Sequence, residues 1–273
     1  MCHAEEMRTS PPYARALVRF LVCRDGVNVL FWFAIDIVES TAGLPVIVSR
    51  GPTPETMVAV TETLRREGLE VTHLISIGGW NEVHPFSGAG AAAAYSAFKD
   101  WNEHHMARPE LGFYGFDGID WDIEGNDDKA SPFNEFTAEC LNLMGEMSQL
   151  AKRDGYLVTM APPESYLDPF TNAFSRSLRG TLPEWRELVP DFTYHGLNCY
   201  AVLIAKYGKT TLGASAGKAG HQPNTTIDTF DLVILQLYES YGHLNHHMEI
   251  QQGEGAKRAL QKSTMTPERD ILT

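Results

Sequence analysis

Basic residues are scarce in this chain: 22 Lys and Arg stand against 35 Asp and Glu, a formal net charge of −13. That balance repels phosphate backbones and anionic lipid headgroups, so neither nucleic acid nor a membrane surface is expected as a partner. Long apolar runs are missing as well. The most hydrophobic stretch, residues 27–38, is too short to cross a bilayer and contains Asp36. The chain opens Met-Cys-His-Ala-Glu-Glu, with acids where a basic leader segment would stand and no apolar segment after it, so no signal peptide is expected within it. Cysteine is sparse. Cys2, Cys23, Cys140 and Cys199 have neither metal-ligand spacing nor the density of a disulfide scaffold, and they leave the redox compartment open.

What is present suits one sizeable globular domain over residues 1–273, with 43% hydrophobic residues to build its core. Strand-like and helix-like patterns alternate. Residues 12–24 read as a helix behind Pro11 and Pro12, and residues 27–35 as a β-rich run. Thr53 and Pro54 cap a helix ending at Gly68; a strand follows over 73–79 and an alanine-rich helix over about 89–106. Ser131 and Pro132 open an amphipathic helix with the stripe Phe133, Phe136, Cys140, Met144, Met147 and Ala151. Two more strands are expected over 155–162 and 231–238. Such alternation predicts a parallel sheet with covering helices. The pattern breaks over about 164–229, which holds Trp185, an apolar run at 194–204 and a Gly/Ala/Ser/Lys-rich stretch at 208–220. This segment reads as an insertion over the strand ends, a lid or groove wall with a mobile loop inside. It also carries one N-glycosylation acceptor, Asn224 followed by Thr225 and Thr226.

Residues 116–125, Phe-Asp-Gly-Ile-Asp-Trp-Asp-Ile-Glu-Gly, carry the chemistry. The run is apolar enough for an interior strand, yet contains Asp117, Asp120, Asp122 and Glu124. Alternation puts Asp120, Asp122 and Glu124 on one face with Gly118, and Ile119, Trp121 and Ile123 on the other. Asp117 has the opposite parity and reads as structural. Buried acids are costly unless they hold a ligand or a reacting bond. Alternate residues rise roughly 6.6 Å along a strand, so neighbouring carboxyls can share a proton or hydrogen bond. Like charges that close raise the proton affinity of at least one, which is how a carboxylic acid serves as a general acid near neutral pH. Glu124 lies nearest the carboxyl end of the strand, where α/β folds place their chemistry. The D-x-x-D-x-D-x-E spacing arises at a given start with chance on the order of 10⁻⁵.

This row resembles the acidic motif of glycoside hydrolase family 18, the chitinases and their relatives. Ser76-Ile77-Gly78-Gly79, followed by Trp80, resembles the family's S-x-G-G motif. Met160-Ala161-Pro162 and Gln236-Leu237-Tyr238 are similar to its sugar-contacting strand ends, and all four motifs stand in family order. The resemblance implies a TIM (β/α)₈-barrel, of which only the second to sixth strands can be placed. No tryptophan follows Trp185 to floor the sugar site, and a partial barrel, a piece of a longer enzyme, is therefore expected. The full-length protein is expected to be extracellular.

The resemblance also implies roles. Glu124 would be the general acid, Asp122 the partner of the substrate's acetamido N–H, Asp120 the group that tunes Asp122, and Tyr238 the donor to the acetamido oxygen. Ser76, Gly78, Gly79, Trp80, Met160 and Gln236 would line the sugar site. Read from the residues alone, Gly78 and Gly79 serve equally as a tight strand exit, and Trp80 and Trp32 as core packing or stacking platforms. His243, His246 and His247 lack accompanying carboxylates or cysteines and read as a solvated loop rather than a metal site. No cofactor or metal is implied. The partner implied is chitin or an N-acetylglucosamine-containing oligosaccharide, bound by a monomer. An endo-β-N-acetylglucosaminidase and a non-catalytic chitin-binding protein are the alternatives. The second usually lacks the last acid of the row, which is present here as Glu124.

Overall fold

The computed structural model describes residues 27–128, 130–167, 199–213 and 224–237. The helix expected over 12–24, Trp185, Tyr238 and the three histidines lie outside the described residues.

Five strands follow one another in the sheet in the order in which they occur in the chain. They are β1 (Val29–Glu39), β3 (Thr72–Gly79), β4 (Gly118–Ile123), β5 (Leu157–Met160) and β8 (Leu232–Val233), each parallel to its neighbour. A doubly wound sheet would reverse direction of growth at a switch point. The unbroken progression is that of a (β/α)₈-barrel wall, present in the described residues as an open arc. A sixth strand, β2 (Pro45–Ser49), folds back antiparallel on β1 through a turn closed by Ser40 and Leu44. The sequence reading did not foresee it. Its run is short and begins with proline, which is tolerated because β2 is an edge strand.

Helix α1 (Pro54–Arg66) starts as expected, with the Thr53 hydroxyl accepting from Thr56 N at 3.3 Å. Helix α2 (Ala91–Asp100) does not run on as a single α-helix to residue 106 but winds into a π-turn, Trp101–Met106. The cause is Asn102, fully buried, whose side chain pairs with both backbone groups of Phe116, accepting at 2.7 Å and donating at 3.1 Å. Helix α3 (Ala138–Arg153) begins later than the sequence reading had it. Ser131 caps only a single turn, Pro132–Asn134, and Thr137 caps the helix proper. Asn134 is diverted from a helix to hold the loop after β4, accepting from Asn126 N at 2.8 Å and donating to Asp128 O at 2.7 Å.

Ile35, Ile37, Ile75, Ile77, Ile119, Trp121, Ile123, Val158 and Met160 form one buried face of the sheet, against the helices. At roughly 25 cal/mol per Å² of apolar area, this burial is the largest favourable contribution to the fold. Part of the expected 164–229 insertion belongs to that core. Helix α4 (Cys199–Tyr207) packs on α3, and a short hairpin, β6 (Lys209–Thr211) with β7 (Thr226–Asp228), leads on to β8. Asn224 is exposed beside that hairpin. No helix among the described residues is long and apolar enough to cross a membrane.

Replacing Asn102 by Ala strands both buried backbone groups of Phe116. The expected cost is about 1–3 kcal/mol of unfolding free energy, read from the urea midpoint. A variant as stable as wild type would show that the π-turn and not this side chain holds residue 116.

Candidate active site

The face of the sheet opposite the helices is polar where it crosses β4. Backbone register places Ser76 beside Asp120 and Asp120 beside Thr159 across three strands, with Gly78 beside Asp122 in the next layer. Ser76 Oγ donates to Asp120 Oδ2 at 2.9 Å and Thr159 Oγ1 to Asp120 Oδ1 at 2.6 Å. Burial raises the Asp120 carboxyl above its ordinary range, opposed by these two hydroxyl donors.

Asp122 and Glu124 are both 9% exposed, and the Gln236 amide reaches both carboxyls. Two carboxyls so close and so buried disfavour ionisation of both. Burial, then the charges of Glu124 and Asp120, push Asp122 up from 3.8 to about 9, against the pull of Gln236. Gln236 enters from beyond β8, where it bridges Pro163, and its Nε2 donates to Asp122 Oδ1 at 2.7 Å and lies 3.5 Å from Glu124 Oε1. The surroundings thus favour the protonated form of Asp122 beside Glu124 at the carboxyl end of a central strand.

The expected residues separate into several groups. Asp120, Asp122, Glu124, Ser76 and Gln236 are brought together as the parity argument requires, though β4 stops at Ile123 and Glu124 follows it. Ser76 is engaged by Asp120. Gly78 and Gly79 hold φ of +96° and +125° at the exit of β3, and a Cβ on Gly78 would stand 2.9 Å from Asp122 O, so no side chain fits there. Trp80 projects beside them, 41% exposed. Trp32 is half-buried against the core, its Nε1 donating to His73 Nδ1 at 3.0 Å. Met160 departs from the expected sugar contact: it shares register and face with Trp121 and is 0% exposed in the helix-facing core. Its neighbour Thr159 is the β5 residue that faces the acids. Asp117 sits at the far end of β4 and accepts from His73 N at 2.8 Å.

Three further residues support the site without any motif to mark them. Tyr200 is fully buried in α4, and its hydroxyl accepts from Ile123 N at 2.7 Å and lies 3.0 Å from Ile123 O, taking the place of a strand partner at the end of β4. Asp36 lies in β1, on the face of the acids, and Arg50 binds it through Nε at 2.6 Å and Nη2 at 2.9 Å. The same guanidinium reaches Gly78 O at 2.8 Å and Glu82 at 2.8 Å, fixing the strand exit. Only the apolar-run signal in 194–204 hinted at Tyr200, and Asp36 was visible as the one acid in the hydrophobic stretch 27–38.

No family model matches the chain, and no curated protein sequence matches it at a significant level. Among solved structures it is similar to family 18 chitinases. The enzyme from Crocus vernus is 12% identical, with a TM-score of 0.40 over 86% of this chain and 66% of that one. The Cycas revoluta enzyme, solved in complex with (GlcNAc)3, is 17% identical, with a TM-score of 0.42 over 86% of this chain and 53% of that one. A group IV chitinase from Ostrinia furnacalis is 19% identical, with a TM-score of 0.33 over 50% of this chain and 36% of that one. The chain therefore spans between about a third and two thirds of the length of these structures.

The raised Asp122 carboxyl sets a sign for stability against pH. Between about pH 4 and about pH 9 the folded chain keeps a proton that the unfolded chain releases, so this group's stabilisation is complete on the acid side and is lost as pH rises. Asp122→Asn should flatten the fall of the urea midpoint across that window. An unchanged slope would mean that the pair holds no extra proton.

Proposed function

We propose that this chain hydrolyses β-1,4 N-acetylglucosaminyl linkages in chitin or chito-oligosaccharides, with retention and with assistance from the substrate. The observation that carries the reading is the buried acid row, with Asp122 and Glu124 both against the Gln236 amide and Asp122 raised above its ordinary range by its neighbours. Glu124, last in the row, gives its proton to the glycosidic oxygen as the bond to the anomeric carbon breaks. The sugar's own acetamido oxygen attacks that carbon, forming an oxazolinium, the route of the substrate-assisted exceptions to two-carboxylate glycosidases. The proton that Glu124 gives comes to it from Asp122, which, left as a carboxylate, turns to the acetamido N–H and stabilises its developing charge, while Asp120, fixed by Ser76 and Thr159, raises the proton affinity of Asp122 in the resting pair. The Glu124 carboxylate finally takes a proton from the water that opens the oxazolinium, giving a β-configured product. Gln236 holds the resting pair in line, Trp80 offers an exposed face for a sugar ring, and Tyr238 is assigned the acetamido oxygen.

The test is turnover of a fluorogenic chito-oligosaccharide. Glu124→Gln, which keeps the shape and loses the acid, should lower kcat by ~10²–10⁴. Asp122→Asn should lower it as well, and proton NMR of the first product should show the β-anomer. An α-anomer, or full activity without Glu124, would refute the mechanism. A folded wild-type chain that cleaves glycoprotein glycans and leaves chito-oligosaccharides intact would replace the substrate and keep the chemistry.

A further inference from the structure

Glu124 stands just past the last residue of its strand. Strand β4 ends at Ile123, so the residue assigned the proton transfer begins a loop. What fixes that loop comes from the segment after Gly79. His84 Nε2 lies 3.0 Å from Glu124 O, and because a carbonyl only accepts, Nε2 carries the hydrogen. Asn81 N donates to the next carbonyl, Gly125 O, at 3.0 Å. Asn81 Nδ2 then donates to Asp127 Oδ2 at 2.8 Å, and Asp127 N donates back to Asn81 Oδ1 at 2.7 Å. Asn81 does this at φ +70°, the left-handed region that asparagine tolerates better than most side chains. The His84 ring is itself wedged between Phe133 and Phe136, with centroids 5.4 and 4.5 Å away.

Two carbonyls and one amide in succession are thus gripped by side chains or backbone of one neighbouring loop. We infer that Asn81 and His84 are positioning residues for Glu124, holding residues 124–127 so that its carboxyl meets Asp122 and the bond to be cleaved. This inference rests on the glycosidase reading above. A purely structural role predicts something different. Asn81 and Asp127 are exposed, and exposed hydrogen bonds contribute little to stability, whereas a general acid displaced by about 1 Å loses up to a hundredfold in rate.

The experiment compares wild type, Glu124→Gln, Asn81→Gly, His84→Phe and His84→Gln on one fluorogenic chito-oligosaccharide, with a thermal midpoint for each. Asn81→Gly keeps the left-handed backbone and loses the side-chain bonds; His84→Phe keeps ring packing and loses the donor. Both should lower kcat about tenfold to a hundredfold. KM should stay within about twofold, as for an interaction that acts on the transition state. The midpoints should move by no more than a few degrees. His84→Gln, which restores a donor, should recover part of the rate. Wild-type kcat in both folded loop variants, beside an inactive Glu124→Gln, would overturn the positioning role and leave the glycosidase reading intact. Rate lost only in step with thermal stability would overturn it equally. A wild-type chain that hydrolyses no N-acetylglucosaminyl substrate would remove the glycosidase reading, and the positioning role with it.

Discussion

Keeping three acids on one buried face is the constraint around which the described structure is organised. An unpaired buried carboxylate costs several kcal/mol, and three together would be prohibitive if all were ionised. Asp120 is offset by two hydroxyl donors in register with it on either side. Asp122 and Glu124 are offset by the Gln236 amide and by the protonated form that burial beside Glu124 and Asp120 favours for Asp122. The loss of charge that makes burial tolerable is the same event that leaves a transferable proton beside the strand end. Stability and chemistry therefore draw on one pair of acids.

The opposite face makes that arrangement possible. Ile119, Trp121 and Ile123 alternate with the acids and anchor β4 in the helix-facing core, and Trp121 spends its one donor on Ser148 Oγ at 2.8 Å. At the end of β4, where β5 no longer pairs with it, Tyr200 supplies the hydrogen bonds of a strand from a helix. On the other side, the space left by Gly78 keeps β3 close to the Asp122 carbonyl, and Arg50 fixes Gly78 O to Asp36 and Glu82. The acids are thus held by neighbours on both flanks, and only the segment past Ile123 depends on a loop.

Much of this was legible in the sequence because it depends on periodicity. Side chains on a strand alternate whatever the tertiary context, so the grouping of Asp120, Asp122 and Glu124, and the exclusion of Asp117, followed from spacing alone. The start of α1 was readable from Thr53 and Pro54 because capping chemistry is local. The same kind of rule misplaced the start of α3: Ser131 and Pro132 do cap a turn, but Asn134 is claimed by Asn126 and Asp128, a tertiary demand no local pattern carries. The π-turn at 101–106 was hidden for the same reason, since Asn102 answers to Phe116. Met160 was assigned from a motif, whereas parity alone, counted from Thr159 opposite Asp120, would have put it in the core. Tyr200 is 77 residues from the backbone it supports, beyond the reach of any local pattern.

The central claim is that one proton is retained between Asp122 and Glu124 through neutral pH. A carbon-13 NMR titration of the side-chain carboxyls, with Asp122→Asn and Glu124→Gln to assign the signals, reads this directly. The account predicts one carboxyl of the pair still protonated at pH 7 and releasing its proton well above the ordinary carboxylate range, with both signals moving together as the coupled pair titrates. Three carboxyls fully ionised by pH 5, each titrating alone, would contradict it.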